Sequence, residues 1–145
     1  MLSVLLIEDN QDDIDLTLHS FRRHNFTNEI KVALDGEEAL GYLERSKDGH
    51  VRLGLILLDL KLPKISGLEI LENIKADREL SRIPVVVLTS SEEAKDVDEC
   101  YRLGANSYVV KPVDFKRFME TLRTLGCYWL LLNKPPSVGG ERASR

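Results

Sequence analysis

Short apolar runs recur along the chain at Val4–Ile7, Ile30–Leu34, Leu55–Leu58, Val85–Leu88 and Tyr108–Val110, each of strand length. Between them, apolar side chains fall at helical spacing: Ile14, Leu18 and Phe21; Ala39, Leu40 and Leu43; Leu68, Leu71 and Ile74; Ala94, Val97 and Tyr101; and Phe115, Phe118, Met119, Leu122 and Leu125. The runs Leu55–Leu58 and Val85–Leu88 lack polar alternation, as expected of parallel strands covered by helices on both faces. The pattern predicts an α/β domain: a doubly wound five-stranded parallel sheet in the order 2-1-3-4-5, flanked by five helices. Helix-capping residues stand at Asp9-Asn10, Asp35-Gly36, Ser66-Gly67, Ser90-Ser91 and Asp114. The domain is expected over residues 2–132. A mobile tail is expected over 133–145, where two Pro and two Gly interrupt a stretch without periodicity.

Composition narrows the function. The 145 residues suit one domain, and 20 basic against 24 acidic side chains give a formal net charge of −4, which disfavours a nucleic-acid partner. The longest apolar run, Cys127–Leu132, is far short of the roughly 20 residues a membrane span needs, and no secretory signal precedes Glu8-Asp9. No membrane partner is expected, and the location implied is cytoplasmic. Cys100 and Cys127 are too few for a disulfide framework and read as thiols.

Ligands of an open parallel sheet collect beyond the carboxyl ends of its strands. There the chain places Glu8 and Asp9 after strand 1, Asp59 after strand 3, Thr89 and Ser90 at strand 4, and Lys111 after strand 5. Three carboxylates in one crevice repel, and a divalent metal with oxygen ligands relieves that; Mg²⁺, which keeps waters and phosphate oxygens, suits an open site. One acid is then a nucleophile able to form an acyl phosphate, with the hydroxyl and the Lys binding the added oxygens. Taken singly, Asp9 could equally cap a helix, and Thr89 and Lys111 would more often be structural. Asp59 has no helix to cap, because Pro63 and Gly67 separate it from the next one. The joint placement at one sheet edge is the signal.

The segments Leu5–Asn10, Leu57–Gly67, Pro84–Ser90 and Gly104–Pro112 resemble the receiver domain of two-component response regulators, over about residues 2 to 132. That resemblance implies a flavodoxin-like, CheY-like receiver fold and a phosphoacceptor role for Asp59, supplied by a histidine kinase or phosphotransfer protein. It implies Mg²⁺ held by Glu8, Asp9, Asp59 and the backbone carbonyl of Lys61, with Glu8 standing where many relatives have Asp. Lys111 would pair with the phosphoryl oxygens, Thr89 would bind one of them, and Tyr108 would turn inward as Thr89 moves. The domain would be a phosphoacceptor that assists its own phosphorylation and dephosphorylation, with no other enzymatic role, and would signal through contacts with an unidentified downstream protein.

Residues 76–84 and the aromatic C-terminal end resemble the small regulators that partner cyanobacterial and bacterial phytochrome kinases. After the stripe of the last helix, Tyr128, Trp129, Leu130, Leu131 and Leu132 are an apolar surplus that either seals the sheet edge or meets another molecule. The resemblance favours a homodimer through Tyr128, Trp129, Leu130 and Leu131. A haloacid-dehalogenase-like Mg²⁺-dependent phosphatase is the rival: it too uses an Asp at a strand end. Its second Asp, two residues on, is replaced here by Lys61.

Overall fold

The computed structural model describes residues 2–49 and 51–136. Five parallel strands, β1 (Ser3–Ile7), β2 (Ile30–Ala33), β3 (Leu53–Leu58), β4 (Val85–Thr89) and β5 (Ser107–Val110), form one sheet in the order β2-β1-β3-β4-β5. The helices α1 (Gln11–Arg23), α2 (Gly36–Ser46), α3 (Gly67–Ala76), α4 (Ala94–Arg102) and α5 (Phe115–Gly126) alternate with them. A 3-10 turn, Leu80–Arg82, leads into β4, and a π-helical segment, Cys127–Leu132, continues α5.

Alternate residues of a strand point to opposite faces, and the buried runs divide accordingly. Leu5, Ile7, Ile56, Leu58, Val85 and Val87 face α2, α3 and α4 through Leu43, Ile70, Ile74 and Cys100. Val4, Leu6, Leu55, Leu57, Val86 and Leu88 face α1 and α5 through Ile14, Phe21, Phe118 and Leu122. Both faces are therefore core, which is why these strands carry no polar alternation. Truncating a fully buried member such as Leu57 to Ala costs about 2–5 kcal/mol, because a cavity remains.

Four helices start on the caps expected of them. The side chains of Asn10, Asp35, Ser66 and Asp114 accept from the amides of Asp13, Glu38, Glu69 and Lys116. The fourth helix departs: Ser90-Ser91 do not cap it, and α4 begins at Ala94 after Glu93, which makes no side-chain cap bond. Ser91 instead donates to Asp96 Oδ2 at 2.5 Å and accepts from the Glu93 amide at 3.3 Å, which closes the β4–α4 loop on itself. The apolar stripes are also narrower than their spacing implied. Ala94, Tyr101 and Phe115 are exposed, whereas Cys100 packs α4 against the sheet.

The C-terminal surplus splits. Trp129 and Leu130 pack against the α1/α5 core, while Tyr128, Leu131 and Leu132 remain exposed. Gly126 lets this segment approach the α1–β2 connection closely, because a Cβ there would lie 2.4 Å from Cε2 of Phe26. Beside it, Leu2, Phe26, Thr27, Asn28, Leu130 and Leu131 line a shallow cavity of about 280 Å³ at the amino end of the sheet. Most of the expected tail, residues 137–145, lies outside the described residues.

Candidate functional site

The sheet ladder continues past the strands into the polar residues and fixes their backbones. The Glu8 amide donates to the Ala33 carbonyl at 3.0 Å, the Asp59 amide to Ile7 at 3.1 Å, and the Lys111 amide to Thr89 at 2.7 Å. The crevice thus assembles because these largely apolar strands become polar at the same end. Gly67 closes the loop behind Asp59: its amide donates to Leu60 at 2.9 Å, and a Cβ in its place would stand 2.4 Å from the Asp59 carbonyl oxygen.

Glu8, Asp9 and Asp59 each offer a carboxylate oxygen, and these oxygens lie within 4.8 Å of one another. Glu8 and Asp59 are buried and Asp9 is exposed, so the cluster is open on one side. Lys61 follows Asp59 closely, its amide donating to Asp59 Oδ1 at 3.4 Å, so its backbone lies beside the carboxylate. An all-oxygen set of acids with a free side fits a hard divalent cation that retains waters.

Lys111 Nζ donates to Glu8 Oε1 at 2.7 Å, Asp13 Oδ2 at 2.8 Å and Asp59 Oδ2 at 3.1 Å. Burial opposes charge on both carboxylates, and the two respond oppositely. Burial, reinforced by the charge of Asp59, pushes Glu8 up to about 7 despite its bond to Lys111. For Asp59 burial acts in the same sense, but the Lys111 charge and hydrogen bonding outweigh it and hold the carboxyl below its usual range. Asp59 is therefore a charged carboxylate in a largely desolvated pocket at neutral pH. Burial would lower Lys111, yet its acidic partners hold it above the ordinary lysine value and keep it cationic.

Thr89 Oγ1 sits near enough to Asp59 to favour its charged form, yet it is buried without a hydrogen-bond partner among the described residues. The hydroxyl is thus engaged by no other group among the described residues. Tyr108 is half-buried, and its hydroxyl donates to the Ser91 carbonyl at 2.9 Å, which ties β5 to the loop after Thr89.

Glu8, Asp9, Asp59, Thr89 and Lys111 thus meet at the sheet edge, while the exposed Ser90 makes no side-chain hydrogen bond to them. Of those expected at the dimer contact, Trp129 and Leu130 are partly buried against the α1/α5 core, whereas Tyr128 and Leu131 are exposed. Strand-end reading missed Asp13, because it lies inside α1. Its signal was available as an acid in the first turn of the helix that follows Glu8 and Asp9.

The family model described as the response regulator receiver domain matches residues 4–123. The probable methanogenesis regulatory protein FilR2 of Methanothrix harundinacea is 40% identical over 134 residues, which cover 92% of this chain and 86% of that protein. Response regulator Rcp1 of Synechocystis sp. is 36% identical over 129 residues, 88% of each chain. The Mn(2+)-bound form of Rcp1 superposes with a TM-score of 0.88 at 34% identity, covering 94% of this chain and 100% of that one. The phosphorylated cyanobacterial phytochrome response regulator RcpA also gives a TM-score of 0.88, at 36% identity, covering 94% of this chain and 99% of that one.

Proposed function

The chain belongs to the response regulator receiver family, and we propose that Asp59 is its phosphoacceptor, loaded by a histidine kinase, with Mg²⁺ held by Glu8, Asp9, Asp59 and the Lys61 carbonyl. The observation that carries this reading is a buried carboxylate kept ionised by Lys111 beside two further acids. The haloacid-dehalogenase reading is dropped, since the family match spans the acceptor segment and Lys61 stands where that chemistry needs a second Asp.

In the transfer step a carboxylate oxygen of Asp59 attacks the phosphorus of a phosphohistidine. The P–N bond breaks, the imidazole leaves with its electron pair, and an acyl phosphate remains. Bound Mg²⁺ would neutralise phosphoryl charge during this exchange. The chain's own residues do the rest. Lys111 offers N–H donors to the new oxygens, and Thr89 Oγ1 acquires the acceptor it lacks. Moving Thr89 toward the phosphoryl group shifts the β4–α4 loop, to which Tyr108 is bonded through Ser91. Phosphorylation thereby biases the surface formed by α4, β5 and α5 toward one arrangement, and a downstream protein reads it. The domain assists gain and loss of its own phosphoryl group and acts on no other substrate.

The likeness to the phytochrome response regulator RcpA favours a phytochrome histidine kinase as the donor. The exposed edge of Tyr128, Leu131 and Leu132 favours a homodimer, with Trp129 and Leu130 supporting that edge from inside. Incubation with acetyl phosphate and Mg²⁺, followed by intact mass and peptide mapping, tests the acceptor assignment. Phosphoryl addition at Asp59 is expected, and addition elsewhere or none would refute it. Phosphotransfer from a phytochrome kinase, compared with a kinase of unrelated sensor type, tests the donor.

A further inference from the structure

Asp13 holds the ammonium of Lys111 from a fixed position on α1. Its amide donates to Asn10 Oδ1 at 3.0 Å, and its carbonyl accepts from the buried Thr17 hydroxyl at 2.8 Å. Its carboxylate stands at a helix N-terminus, where negative charge is favoured. A lysine has three N–H donors, and Lys111 directs one each to Glu8, Asp13 and Asp59.

Those partners have different fates. Asp59 ceases to be a carboxylate when it becomes an acyl phosphate, and Glu8 serves as a metal ligand. Asp13 lies outside the group of acids whose oxygens converge on one point among the described residues. It is thus the one Lys111 partner that neither reaction changes, and its bond to Lys111 can persist from the empty to the loaded site.

Charge gives this bond a direction. An ammonium beside Glu8 and Asp59 repels a divalent cation and competes with it for the same oxygens. A carboxylate behind the ammonium offsets part of that charge, which favours the cation. The same carboxylate weakens the attraction of Lys111 for phosphoryl oxygens. We propose that Asp13 is a positioning residue acting through Lys111, which favours metal loading before transfer and limits the grip of Lys111 on the phosphoryl group afterwards. The inference rests on the function proposed above.

The test measures two affinities on the full chain: Mg²⁺ by calorimetry, and beryllofluoride, a phosphoryl mimic, by fluorine NMR at saturating Mg²⁺. Asp13→Asn keeps shape and removes charge. It is expected to weaken Mg²⁺ by about threefold to fivefold and to tighten beryllofluoride by a similar factor. Asp13→Glu should return Mg²⁺ affinity toward wild type. Asp12→Asn, the same charge change on an exposed neighbour, should move either constant by less than about twofold. Equal effects of Asp12→Asn and Asp13→Asn, or a joint loss of both affinities in Asp13→Asn, would overturn the inference, since general charge or structural damage would then explain them. Wild-type protein that binds both probes while Asp13→Asn matches it would sink this inference alone. Wild-type protein that binds neither would refute the function it rests on as well.

Discussion

Thr89 and Lys111 are joined through the backbone: the Lys111 amide donates to the Thr89 carbonyl at 2.7 Å, while among the described residues Thr89 Oγ1 has no hydrogen-bond partner and Lys111 Nζ has three. The two groups proposed to contact the phosphoryl oxygens therefore cannot shift independently. One begins the cycle unsatisfied and the other saturated, so phosphorylation gains a bond at Thr89 and redistributes bonds at Lys111.

Removing the hydroxyl separates these effects. Thr89→Val keeps the branched shape and deletes an unpaired buried polar group, so the unphosphorylated domain is expected to be as stable as wild type or up to about 1 kcal/mol more stable. Labelling with acetyl phosphate should persist, while the phosphorylation-dependent change in amide spectra around Tyr108 is lost. A full spectral response in this variant would show that Thr89 is not the relay.

Asp59→Asn retains the acceptor's shape but offers no carboxylate nucleophile, so phosphoryl addition from acetyl phosphate should vanish from the intact mass. The fold should be unchanged by circular dichroism. Near-normal labelling would mean that another acid is the acceptor.

Mg²⁺ stabilisation should depend on pH through Glu8. Burial raises the folded-state value to about 7 from 4.5, so the folded domain holds a proton that the unfolded chain has released. The contribution of this group to stability is complete below about 4.5 and is lost as pH rises through about 7. Without metal, the melting temperature should therefore fall between about pH 5.5 and 8, and the increase given by Mg²⁺ should grow over the same interval. An increase of equal size at both ends would contradict this assignment.

The exposed part of the C-terminal segment gives a cleaner probe of self-association than truncation would, because truncation at Gly126 also removes the packing of Trp129 and Leu130 against the core. Leu131→Ser with Leu132→Ser should leave the melting temperature nearly unchanged and convert a dimer to a monomer by light scattering. A wild-type monomer at micromolar concentration, phosphorylated or not, would exclude the dimer.

Much of this was legible in the chain because it is local or repetitive. The buried runs around Leu57 and Val86, the caps at Asn10 and Ser66, and the polar residues ending each strand all follow from short-range pattern. What escaped depends on three-dimensional competition. Ser91 prefers Asp96 and the Glu93 amide to capping a helix, so α4 starts later than its serines suggest. Phe115 has the spacing of a core residue but lies at the first turn of α5, where the sheet no longer covers it. Trp129 and Tyr128 are adjacent and aromatic, yet only the helical phase after Gly126 decides which enters the core. Asp13 had no strand end to mark it, and its importance comes from a lysine 98 residues away.

The contact of Gly126 with Phe26 places the Cys127–Leu132 segment beside Leu2 and Asn28, at the opposite end of the sheet from Asp59. A protein clasping that edge leaves the mouth of the phosphoryl pocket uncovered. Self-association of the kind proposed at that edge would therefore leave Asp59 open to a phosphoryl donor in each copy of a pair.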